Sequence, residues 1–167
     1  GTPVGTVARG NQLELSAASI TPPYIWVPNS PEGTVSKVDI RTGKEVGRYR
    51  TGPPRAGSGN PSRTTVDQYG NCWVANRNHG TILKIGLYEN GQYLDRNGDG
   101  LIQTSQDLDN DGNISGAETL DWGKDECVLW EVVIIPGKEG AFTPGAYAAG
   151  YGGYNDAGSR SIAADAW

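Results

Sequence analysis

The sequence predicts an all-β protein, and three observations carry that prediction. Two segments of alternating apolar and polar residues repeat each other at an offset of 47 residues, Trp26 to Trp73. Each segment is short, rich in Trp, Val and Ile, and bounded by turn residues, as half-buried strands are. The chain has 25 Gly and 10 Pro in 167 residues and a mean hydropathy of −0.51. It reads as loop-rich rather than disordered, because its apolar residues fall in periodic runs.

The elements follow in order. The first unit opens with Ile25-Trp26-Val27-Pro28-Asn29, turns at Gly33, and continues with Thr34-Val35-Ser36-Lys37-Val38. A turn over 39–44, containing Gly43, leads to a third strand over 45–50. Residues 51–61 form a Pro/Gly linker. The second unit repeats the first as Cys72-Trp73-Val74-Ala75-Asn76, a turn at Gly80, and Thr81-Ile82-Leu83-Lys84-Ile85. Its last strand lies far downstream, in the run 126–135 that is dense in β-formers and ends at Pro136-Gly137. A third copy begins at 159–167, with Asp165 in the place of Asp67. Periods of about 40–50 residues built from short strands are the signature of propeller blades. The expected fold is therefore all-β with β-propeller-type blades, two plus the start of a third. Residues 1–167 read as one propeller-like domain, incomplete as it stands, because so few blades leave sheet edges open.

An insertion over 87–125 interrupts the second unit and holds two 12-residue loops end to end. The second, 107–118, fits the D-x-[DN]-x-[DN]-G-x5-E calcium pattern at every fixed position, and the first, 95–106, misses only the final Glu. Calcium takes about 6–8 oxygens, which such a loop supplies from positions 1, 3, 5, 7, 9 and 12. In the second loop these are Asp107, Asp109, Asp111, the carbonyl of Asn113, Ser115 and bidentate Glu118. In the first they are Asp95, Asn97, Asp99, the carbonyl of Leu101 and Gln103, with neutral Gln106 at position 12. The first site is expected to be weaker, or to share Asp107. Glycine at position 6 (Gly100, Gly112) permits the sharp turn. Six carboxylates and one cation over 95–118 leave −5, the formal charge of the whole chain, and charges so crowded repel unless a cation neutralises them. One or two calcium ions are expected. They would order the insertion rather than act as a sensor, since a sensor needs a helix on each side of its loop. Here 87–94 is strand-like and broken by Gly91, and 116–122 has room for two helical turns at most.

Two resemblances follow from these residues. Pro61 to Asn76, with Asp67, Gly70, Asn71 and Trp73, followed by Gly80-Thr81 and Lys84-Ile85, resembles a blade of NHL-like propellers, the virginiamycin B lyase-like group above all. The tandem loops resemble the calcium loops of dockerins, EF-hand-like but without the helices, and those of thrombospondin type 3 repeats, which implies an extracellular, structural role. The lyase resemblance implies a His base and a metal held by acidic residues, and no cluster of that kind is visible around the single histidine, His79. His79 lies in the hairpin turn 76–80, where a solvated residue is expected.

Other features exclude rather than assign. No apolar run of 18 residues exists, so no membrane span is expected. A net charge of −5 and a pI near 4.8 argue against nucleic acid. Cys72 and Cys127 either form a disulfide across the base of the insertion or pack as buried thiols. Tyr147, Tyr151 and Tyr154 stand in a Gly/Ala-rich stretch that either binds a surface or packs over a sheet face. The reading is a secreted or cell-surface, prokaryotic, calcium-stabilised structural or binding module, not an enzyme. Its partner would be a protein or glycan surface, or copies of itself in a filament. The alternative is a fragment of a propeller lyase or hydrolase whose catalytic residues lie elsewhere.

Overall fold

The computed structural model describes residues 6–9, 12–15, 23–53, 59–134 and 162–163. The described residues are all-β. They form strands β1 (Thr6–Arg9), β2 (Gln12–Leu15), β3 (Tyr24–Asn29), β4 (Thr34–Asp39), β5 (Glu45–Arg50), β6 (Pro61–Val66), β7 (Cys72–Asn76), β8 (Thr81–Ile85) and β9 (Val128–Val133). Strands β1 and β2 make a hairpin that the 47-residue repeat does not predict. The others form two antiparallel sheets, β3-β4-β5 and β6-β7-β8-β9, and neither closes on itself. The third copy expected at 159–167, apart from residues 162–163, and the three tyrosines expected over 141–159 lie outside the described residues.

The repeat has a local cause. In each hairpin an Asn carbonyl accepts the N–H of a glycine four residues on, Asn29 from Gly33 (3.0 Å) and Asn76 from Gly80 (3.2 Å). Both glycines have positive φ, 73° and 62°, a region that side-chain-bearing residues rarely enter. The same Asn then donates its side-chain amide to the threonine that opens the next strand, Thr34 or Thr81. Asn, Gly and Thr recur because one turn needs all three.

The two sheets stack in one sense. Register places Trp26 opposite Lys37, and Val35 opposite Tyr49, on one face of the first sheet. In the second sheet Trp73 faces Lys84 in the same way, while Cys72, Val74, Leu83 and Ile85 occupy the opposite face. A single core joins Trp26, Val35 and Tyr49 to Cys72, Val74, Leu83 and Ile85. The Trp-bearing face of the first sheet therefore packs on the other face of the second, head to tail. Each fully buried aliphatic side chain there contributes about 1.5–3 kcal/mol. Polar links reinforce the seam, from Thr64 Oγ1 to the Trp26 carbonyl (3.0 Å) and from the Asn76 amide to the Thr51 carbonyl (2.7 Å). Buried Lys37 also pairs with Glu89 at 2.9 Å.

Two expectations change. The segment 87–94 is not strand-like: Tyr88–Asn90 is a 3-10 turn, and Gly91 (φ 67°) follows it. Leu87 is buried, and its carbonyl accepts the N–H of Asn90 and of Gln92, so the chain closes on itself instead of pairing with a strand. Cys72, expected on the first strand of the second unit, lies on the second strand of its sheet, because Pro61–Val66 pairs outside it as β6.

Candidate metal centre

The insertion leaves β8 after Ile85 and returns at β9, which pairs antiparallel with β8. Within it, backbone N–H groups aim the carboxylates. In the second loop Asp107 accepts from Gly112 (2.9 Å), Asp109 from Asp111 (3.1 Å) and Asp111 from Asn113 (2.7 Å). Glu118 closes the loop, accepting from Leu108 (2.8 Å) with one oxygen and from Ser115 (2.9 Å) with the other. The N–H groups of Ser115 and Leu108 hold the Glu118 carboxyl below its ordinary range, so it is ready to bind as an anion.

Asp107, Asp109 and Glu118 each bring one oxygen to within 4.8 Å of the others. Ligand oxygens at about 2.3–2.6 Å from one calcium ion lie no further than about 5 Å apart, so the spacing fits. Asp107 Oδ1 supplies the sharper test. It is buried and has no hydrogen-bond partner, which is costly for a carboxylate oxygen without a cation. The donor set, hard oxygens only, suits a hard divalent cation such as calcium, magnesium or manganese.

The first loop folds in the same way. Asp95 accepts from Gly98 (2.7 Å) and Gly100 (2.9 Å), Asn97 from Asp99 (2.9 Å), and Asp99 from Leu101 (2.8 Å). The Leu101 N–H bond lowers the Asp99 carboxyl. The Gln103 amide donates to the Leu101 carbonyl (3.0 Å), which gathers positions 5, 7 and 9. Gln106 is exposed, and no hydrogen bond of its side chain joins it to this loop.

The eighth residue of each loop, Ile102 and Ile114, turns toward the sheets. Ile114 is fully buried, and Ile102 packs on the core. Around Ile114 the second loop docks on the first sheet, not on its own. The Glu45 N–H donates to the Gly112 carbonyl (3.1 Å), and the Glu45 carboxylate accepts the Ile114 N–H (2.9 Å). Lys44 reaches the Asn110 carbonyl at 2.8 Å. Burial pushes the Glu45 carboxyl up, but bonds from Arg48, Ser36 and Ile114 outweigh it and leave it lowered. Neither Lys44 nor Glu45 belongs to the motif; only the folded chain brings them to the loop.

Buried acids also hold the base of the insertion. Asp125 accepts from Ser105 N–H (2.9 Å), from both Thr104 and Ser105 hydroxyls (2.9 Å each) and from Cys127 N–H (3.0 Å). Burial nevertheless raises its pKa. Cys72 and Cys127 are both buried free thiols, which settles the two alternatives left by their spacing. Burial pushes Cys127 up to about 12 and Cys72 well above its usual range, so both are inert hydrophobes here. His79 is not solvated but buried, because the backbones of Gly52 and Gly59 close over its ring. A methyl on Gly52 would stand 2.6 Å from the ring, and one on Gly59 2.7 Å.

No family model, curated protein or solved structure matches the chain.

Proposed function

We propose that this chain is a calcium-stabilised structural and binding module of β-propeller type, acting in recognition or assembly outside the cell. The observation that carries the reading is the second loop. Its converging carboxylates include a buried oxygen without a donor, and its backbone is fastened to Glu45 of the other sheet. A cation bound there would order the insertion and clasp the two sheets together. On this reading the site serves architecture. Calcium loops in extracellular modules bind at roughly 10⁻⁴–10⁻³ M, so millimolar calcium half-fills to largely fills such sites. No helix among the described residues is long and apolar enough to cross a membrane.

One observation favours copies of the chain as the partner. The exposed face of the first sheet carries Ile25 (50% exposed) and Val27 (38%). It corresponds to the face of the second sheet that the Trp26 side already covers. The Trp73 face corresponds in turn to the Trp26 face. Faces that match head to tail extend into rings or filaments.

Native mass spectrometry and thermal unfolding, in calcium and after chelation, test both ideas. The expected outcome is bound calcium and a midpoint that falls on chelation. Calcium at 100 times its Kd stabilises by about 2.7 kcal/mol, which for a chain of this size is roughly 5–10 °C. A chain that takes up no ion in millimolar calcium, with an unchanged midpoint, would sink the metal reading. A calcium-loaded monomer at all concentrations would remove the self-assembly reading alone.

A further inference from the structure

The first loop lacks a carboxylate at its twelfth position, yet the structure supplies one from elsewhere in the chain. In the second loop Glu118 accepts the N–H of the second residue, Leu108 (2.8 Å), with Oε1 and that of the ninth, Ser115 (2.9 Å), with Oε2. In the first loop the second and ninth residues are Arg96 and Gln103. Glu126 accepts the N–H of Arg96 with Oε1 (2.8 Å) and that of Gln103 with Oε2 (2.9 Å). The two carboxylates hold the same posts in their loops. One comes from within its own 12-residue motif, the other from the residues just before β9.

We propose that Glu126 is the twelfth ligand of the first loop, which makes 95–103 with Glu126 a second complete calcium site. The assignment rests on the reading of these loops as calcium loops. It takes the place of Gln106, which is exposed, and of a shared Asp107, which clusters with Asp109 and Glu118 in the second loop.

Three observations support it. Glu126 is only 3% exposed, and its carboxylate is bonded to neutral backbone N–H groups. Among the described residues it forms no ion pair, and Arg96 turns its guanidinium away to the carbonyls of Asp125 and Val128. A buried carboxylate held by neutral donors alone gains further when a cation binds it directly. Next, a cleft of about 580 Å³, lined by Asn97, Asp99, Gln103 and Glu126 together with Arg96 and Lys124, leaves space for an ion and its waters. Finally, the backbone fixes Glu126 at both ends of the loop. Its N–H donates to the Gln103 carbonyl (2.9 Å), and its carbonyl accepts the Leu94 N–H (3.0 Å). An ion in the first loop would thus be tied to the entrance of β9, as an ion in the second is tied to β5.

The test counts calcium ions on the full chain by native mass spectrometry, with affinities from calcium titration calorimetry. Wild type should hold two ions. Glu126→Gln and Asp95→Asn should each lose one and the same ion, Glu118→Gln the other, and Glu126→Gln with Glu118→Gln both. The ion that Glu126→Gln retains should keep its affinity within about threefold, since coupling between separate sites is small. The lost one should fall by more than the roughly 10–100-fold that a missing outer-shell partner costs. Two ions retained in Glu126→Gln, or a loss within that outer-shell range, overturn the assignment. A wild type that binds no calcium overturns the underlying reading instead. Should Glu126→Gln fail to fold, the crystal structure of the calcium-soaked wild type decides. A Glu126 oxygen at about 2.3–2.6 Å from the first-loop ion upholds the proposal. Water in that place, with Glu126 turned away, ends it.

Discussion

Asp67 shows how much one side chain can organise. Its Oδ1 accepts the N–H groups of Tyr69 (2.9 Å) and Asn71 (3.1 Å), and its Oδ2 the Asn71 amide (3.0 Å) and the Trp73 indole (3.1 Å). Lys84 adds its ammonium at 3.3 Å while lying over the Trp73 ring. Burial pushes the Asp67 carboxyl up, but the donors outweigh it and leave the pKa lowered. A lowered folded pKa stabilises fully above the unfolded value, about 3.9, and that contribution disappears as pH falls through the folded value. Asp67→Asn should therefore cost about 2–3 kcal/mol at pH 7 by denaturant unfolding. The gap to wild type should narrow below about pH 4, and a gap that stays constant in acid would contradict the ionic account. At this scale the sequence was partly legible. Asp67 and the loop carboxylates sit at fixed local spacings, which a motif records. Glu45 and Glu126 gain their roles from partners 69 and 23–30 residues away, and no local spacing marks those.

At the scale of elements, the repeat located β3, β4, β7 and β8, because each Asn-Gly-Thr turn is a local device, and β-former density located β9. The strand-like reading of 87–94 failed because alternation alone does not supply a neighbour to pair with. Gly86, just past β8, is where the insertion departs. Its N–H donates to the Cys127 carbonyl at 2.7 Å, and a methyl group on it would lie 1.9 Å from the Gln92 carbonyl oxygen. Gly86→Ala must shift backbone at both ends of the insertion. It should cost about 2–3 kcal/mol in unfolding free energy, and a loss below about 0.5 kcal/mol would show that the insertion tolerates displacement there.

Across the whole molecule, the second loop belongs to one sheet by sequence and to the other by contact. Hydrogen exchange with and without calcium should show this. Chelation should raise exchange over 107–118 and in β5 together, by roughly tenfold or more, while β7 and β8 keep their protection. Loss of protection confined to 107–118 would mean that the docking on Glu45 does not depend on the ion. The position of the insertion also has a consequence for variation. The corner between the last two strands holds residues 40–44 in the first sheet and 86–127 in the second, yet both sheets keep the same strand pairing there. Lengthening a loop by three doublings costs only about 2 kcal/mol in closure entropy. That corner is a socket, where a lineage or an engineer can exchange what is plugged in without rewriting either sheet.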